Sequence, residues 1–351
     1  MVSALAGLAF AAPRPQEQGI EIDAVEAQGL GVVDGPPLAA TVTAEIPTYV
    51  PAIAASSAAA EITSAGLKKR VAAVTTSADP SACTPLPKGY GPVSSPDTAA
   101  SFKSNTNYDQ IAAAADVPQG YTLSFSGLRG ATEGEGYLGY YTLKSYDTIG
   151  CQSYCDRTKG CQGFNVYLER DPIVNPGPNC KNPSSTVLYK CSLWGLPVVP
   201  ATAKNEGQWR YDFNVLIAGS NGYNSLAPPA PIPGYTGPTK FGGAIQAPLL
   251  PSGADSYMGF KYYTGAYNPS LCTSACTAQN IYNEKHPASD GTWKKCIFTN
   301  SYVLSKNNSP LGTYCSLYTY SWGNDKATNY GQYRGSDYYS VSQSYGWSMT
   351  G

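Results

Sequence analysis

The chain has 351 residues, in which 23 basic and 24 acidic side chains nearly cancel. That balance leaves no basic stripe for nucleic acid and no polybasic patch for a membrane surface. Ten cysteines stand against one histidine and three methionines, so any organising chemistry must come from sulfur.

In chain order, Met1 to Ala11 is apolar and closes in the small-x-small pattern Ala9-Phe10-Ala11. It reads as the remnant of a secretory signal cleaved after Ala11, without a basic n-region. Secretion makes disulfides the default state of the cysteines. Residues 12–70 are rich in Ala, Pro and Glu, lack cysteine, hold Tyr49 as their one aromatic, and end in Leu67-Lys68-Lys69-Arg70. The expectation is a propeptide closed by a dibasic kexin-type site at Lys69 and Arg70; a solvated charge cluster in a linker is the alternative. Residues 71–118 are rich in Ser, Thr, Pro and Ala and carry only Cys83, which predicts an extended, partly disordered arm pinned at one point.

Two comparable units follow, residues 119–218 and 234–351, joined by a linker over 219–233 that ends in Ala227-Pro228-Pro229-Ala230-Pro231-Ile232-Pro233. Six blocks recur in order. Gly120-Tyr121-Thr122 returns as Gly234-Tyr235-Thr236, and Tyr137-Leu138-Gly139-Tyr140 as Tyr257-Met258-Gly259-Phe260. The pair Cys151 and Cys155 returns as Cys272 and Cys276, and Cys161-Gln162-Gly163-Phe164 as Cys296-Ile297-Phe298. Lys190-Cys191-Ser192-Leu193-Trp194 matches Tyr314-Cys315-Ser316-Leu317-Tyr318, and Asn205-Glu206-Gly207-Gln208-Trp209-Arg210 matches Asn329-Tyr330-Gly331-Gln332-Tyr333-Arg334. Cysteines four apart share one helix face, and Asp147 or Thr148 and Asn268-Pro269 supply caps. The aromatic, alternating blocks after each helix read as strands in antiparallel hairpins.

This pattern resembles the PAN/apple domain superfamily, and the Asn-x-Gly-Gln-aromatic-Arg block resembles an addition in its secreted fungal members. The resemblance implies an α+β fold of two small disulfide-stapled modules, each one helix packed on an antiparallel sheet. It also implies the pairs Cys151–Cys191, Cys155–Cys161, Cys272–Cys315 and Cys276–Cys296. Cys83 and Cys180 remain, one in the arm and one in an insertion of the first unit, and are expected to bond to each other. Zinc is the competing reading, with four thiolates per unit, but it leaves two cysteines unused where disulfides use all ten.

No catalytic residue, cofactor or metal is expected. The only histidine, His286, falls in a polar insertion, and Glu133 with Glu135 lies in a Gly-rich turn. The 28 tyrosines and five tryptophans suit recognition instead. The repeated aromatics Trp194, Trp209, Tyr318 and Tyr333 are expected in the core. The unrepeated Trp293, Tyr338, Tyr339, Tyr345 and Trp347 are the candidates for exposed ligand contacts. Arg210 and Arg334 are expected to clamp local carbonyls or carboxylates, and Asn307 opens a glycosylation sequon with Pro310 directly after it. The expected protein is secreted, extracellular or wall-associated, and non-catalytic, and it binds carbohydrate or protein. The alternative is a structural surface or matrix protein that self-associates once the propeptide is removed.

Overall fold

The structure, a computed structural model, describes residues 18–29, 34–38, 40–63 and 83–351. The expected signal remnant and the dibasic site at Lys69 and Arg70 lie outside the described residues. The fold is α+β with two antiparallel sheets. In chain order come α1 (Ile22–Ala27), β1 (Ala44–Glu45), α2 (Pro51–Thr63), α3 (Ala99–Ser104) and α4 (Asn107–Ala113). Then follow β2 (Tyr121–Leu128), β3 (Tyr137–Leu143), α5 (Thr148–Arg157), β4 (Gly163–Pro172), β5 (Ser185–Trp194), β6 (Gly207–Arg210) and β7 (Phe213–Ser225). The second half holds β8 (Tyr235–Lys240), β9 (Tyr257–Thr264), α6 (Pro269–Lys285), β10 (Phe298–Lys306), β11 (Ser309–Tyr318), β12 (Gly331–Arg334) and β13 (Asp337–Met349).

Sheet one runs β1-β3-β5-β4-β7-β2 with β6 paired to β7. Sheet two runs β12-β13-β10-β11-β9 with β8 paired to β13. Strand for strand the halves match, since β3-β5-β4-β7-β2 has the same order as β9-β11-β10-β13-β8. The sequence repeat is therefore a repeat of topology.

Each long helix begins on a side-chain cap. Asp147 accepts from the Gly150 amide at 2.7 Å, and Asn268 accepts from the Ser270 amide at 3.0 Å with Pro269 in the first turn. The buried thiols of each helix then meet their sheet: Cys151 joins Cys191 on β5, and Cys272 joins Cys315 on β11. Cys155–Cys161 and Cys276–Cys296 tie each helix to the start of the following strand, and Cys83–Cys180 closes the set of five. With all the sulfurs bonded in pairs, the zinc alternative has no thiolates to use.

The expectation of one helix per sheet gives way to a fuller arrangement. Sheet one carries α3 and α4 beside α5, because Phe102, Tyr108 and Ala112 are apolar positions that bury against β7 and β2. The described part of the arm is thus ordered, held further by the Gly91 amide on the Val187 carbonyl at 2.9 Å. On sheet two, α2 lies along α6. The segment expected to be a propeptide straps both halves: Ile20, Ile22 and Val25 bury on sheet two, and β1 adds to the edge of sheet one through β3.

Covering both faces of sheet one leaves β4 and β5 buried along their whole length, charges included. Arg170, Lys190 and Glu169 among them are in ion pairs, as burial favours. Arg170 meets Asp97 of the arm at 3.0 Å, and Asp97 also accepts from the Ser185 amide at 2.7 Å. Lys190 and Glu169 form a fully buried ion pair at 2.5 Å, and the ammonium donates to the Pro37 carbonyl of the strap at 3.0 Å.

The halves meet through backbone. The Tyr267 amide donates to the Gly195 carbonyl at 2.7 Å, and the Gly265 amide to the Glu135 carboxylate at 3.0 Å. A side chain at Gly195 would sit 2.2 Å from the Ala266 methyl, so this junction requires glycine. Leu196, Tyr267, Val303, Tyr345 and Trp347 form the apolar seam beside it.

Breaking the buried pair tests this packing. Lys190→Met alone leaves a buried carboxylate unpaired and costs about 3–5 kcal/mol in chemical denaturation. Adding Glu169→Leu recovers most of that loss.

Candidate functional site

The aromatic positions named from the sequence separate by strand alternation. Trp347, Tyr345 and Tyr339 are buried. Tyr345 and Trp347 pack with Val303 and Tyr267 on one face of β13, where the Trp347 indole donates to Ser301 at 3.1 Å; Tyr339 packs with Tyr302 and Leu304 under the strap on the other, where its hydroxyl donates to Glu26 at 2.5 Å. They are core residues and not ligand contacts, which corrects that expectation. Tyr338 is half-buried and packs on Tyr333 with ring centroids 4.8 Å apart. Trp293 is exposed, in a loop away from both hairpins. His286 ends α6 and stacks on Tyr282, a loop role. Asn307 sits in the β10–β11 turn with its amide on Asp337 at 2.7 Å.

Of the repeated aromatics, Trp194 and Tyr318 are buried, but Trp209 is 67% exposed and Tyr333 73% exposed. These two occupy the same position in the repeat, on β6 and β12, each the first strand of a two-residue hairpin. On both strands the neighbours Gln and Arg point to the other face, so alternation turns the aromatic out. Four-residue edge strands leave such a ring largely in solvent. A core role inferred from repetition and from nearness to a cysteine missed this; the short strand before a turn was the available signal.

The first loop residue of both hairpins has a left-handed backbone: Gly335 at φ 59° and Tyr211 at φ 53°. Glycine adopts this freely and tyrosine does not. Tyr211 is exposed two residues after Trp209, so a strained backbone carries a second exposed ring at this hairpin. In the second half, Tyr333 is exposed with Tyr338 packed on it. The result is two aromatic platforms at equivalent places on two sheets.

The opposite face of β12 does different work. Gln332 and Arg334 grip the strap, Gln332 through its amide on both the N–H and C=O of Ile20 at 2.8 Å each, and Arg334 through an ion pair with Asp23. Lys306 lies between Asp337 at 2.8 Å and Glu26 at 3.3 Å. The Tyr339 hydroxyl and then Lys306 lower the Glu26 carboxyl below its ordinary value; Lys306 and then Asn307 do the same to Asp337. A cleft of about 1230 Å³ opens where the strap crosses the two sheet edges, lined by Asp34, Tyr49, Glu61, Glu135, Lys261 and Tyr263. Burial and the Glu61 charge raise the Tyr263 phenol.

Family models, curated proteins and solved structures all return no match to this chain.

Lowered carboxylates give stability that is complete above their unfolded values and lost as pH falls through the folded ones. The strap is therefore expected to loosen below about pH 4. Hydrogen exchange at residues 18–28, corrected for the intrinsic rate, rises there ahead of the sheets, and Glu26→Gln reduces that pH dependence.

Proposed function

We propose that the protein is a secreted, non-catalytic binding protein, extracellular or wall-associated, that engages carbohydrate or protein through the aromatic platforms of β6 and β12. The reading treats the halves as two PAN/apple-like modules of the secreted fungal type, with α3, α4 and α2 as additions. The observation that carries it is the outward placement of Trp209 and Tyr333 at one repeat position. Exposed rings on rigid edge strands suit stacking against sugar faces or an apolar side chain. Five disulfides fit an oxidising compartment. Two equivalent platforms favour extended ligands, because engagement of one raises the effective concentration at the other.

A second reading rests on the same strands. β6 and β12 each pair with only one neighbour, and exposed edges can pair with another copy. On that reading the protein is a structural surface or matrix component that self-associates, with the strap's removal as the trigger.

Trp209→Ala and Tyr333→Ala are each expected to weaken retention on an immobilised glycan or wall preparation by about threefold to tenfold. The double variant loses more than the product of the two, and thermal midpoints stay near the parent because both rings are exposed. Absence of retention by the parent on a glycan array and on walls removes the carbohydrate version. Sedimentation across a concentration series then reports on self-association.

A further inference from the structure

Sheet two presents to residues 18–26 a face that meets a peptide by main-chain hydrogen bonds in both directions. Gln332 closes a two-bond ring on Ile20, and Gln18 does the same with Ala247, its amide donating to the carbonyl at 2.8 Å and accepting from the N–H at 2.7 Å. The Tyr314 hydroxyl accepts from the Glu21 amide at 3.1 Å. Side-chain selection is added by three apolar sockets and two cationic ends. Ile20, Ile22 and Val25 bury among Tyr262, Tyr302, Tyr314 and Tyr339. Arg334 takes the Asp23 carboxylate, and Lys306 with Tyr339 takes that of Glu26.

We propose that this face is a peptide-binding groove for a segment with the pattern apolar-x-apolar-acid-x-apolar-acid, and that the strap is its resident occupant. The groove lies across β12 from the aromatic platform and is independent of what the platform binds.

Two observations separate an occupant from ordinary core. First, the strap has no cysteine, while the five disulfides all join residues from Cys83 onward. A single backbone cut between it and Cys83, for which Lys68-Lys69-Arg70 offers a basic site, leaves it held by non-covalent contacts alone, those of the groove together with β1 on β3 and α2 on α6. Such a cut replaces an effective concentration on the order of millimolar with the bulk concentration, so the groove becomes open to exchange.

Second, the other sheet lacks the groove although it shares the topology. By strand register Glu169 stands where sheet two has Leu304, and Lys190 where it has Tyr314. A buried ion pair there replaces Leu304 and Tyr314, Tyr167 keeps the place of Tyr302, and Gln208, the counterpart of Gln332, is exposed. Residues 37 and 38 of the strap cover the same face of sheet one through Leu38 and the Pro37 carbonyl, but the paired main-chain hydrogen bonds and the cationic ends that hold residues 18–26 belong to sheet two.

The test uses the full chain carrying Ile20→Asp and Ile22→Asp, which unseats the resident segment. A labelled peptide of residues 18–28 is titrated into this variant and into the unmodified chain. Binding to the variant at least about tenfold tighter than to the unmodified chain supports the groove. Gln332→Ala on the variant is expected to weaken it by about a further tenfold, as two main-chain hydrogen bonds are lost. A peptide carrying both aspartates is expected not to bind. A folded variant that takes up no peptide overturns the proposal. A variant that has lost its cooperative unfolding transition also overturns it, because the strap is then core and not a ligand.

Discussion

The architecture depends on one covalent link made twice, between the buried face of a helix and a central strand. Cys151 reaches Cys191 on β5 and Cys272 reaches Cys315 on β11, each strand lying inside its sheet. The link fixes which helix face meets the sheet and where along the strand it does so. Each bridge contributes about 2–4 kcal/mol, mainly by restricting the unfolded chain, which is substantial for two sheets that share no continuous hydrogen bonding. Once helix and sheet are locked, the second sheet face is left over, and the two halves use it differently. Sheet one covers it with strap and arm over an ion pair; sheet two covers it with the strap over tyrosines.

Much of this was legible in the sequence because it is periodic. Cysteines four apart, caps before them and the six ordered blocks identify the helices, the strands after them and the repeat. What escaped was set by depth within a sheet, which local pattern does not encode. Trp209 and Trp194 both stand beside repeated blocks, yet Trp194 is on an inner strand with its indole donating to Ser192 at 3.0 Å, while Trp209 is on a four-residue edge. On β13 a break in register near Ser342, with Gln343 at φ 47°, changes which positions face inward between Tyr339 and Tyr345. The inward set there cannot be counted from either end.

The strap and arm escaped for another reason. Their composition is rich in Ala, Pro and Ser, which signals weak intrinsic order, and their order comes from partners far along the chain. Phe102 and Tyr108 are few among polar residues but bury almost completely against β7 and β2. Ile20 and Ile22, in an acidic context, meet a surface that exists only once β10, β11 and β13 have paired. Low hydrophobicity predicts disorder for a segment alone, not for one that completes an existing sheet.

The separation between Ile20 and Gln332 is 312 residues. During synthesis the strap emerges well before β13, yet the groove that receives it needs that strand. Its docking therefore waits for β13, and a contact of this range closes late because its loop-closure entropy is large. Until then Ile20, Ile22 and the tyrosines of sheet two are exposed together. The seated strap thus reports that both halves have folded.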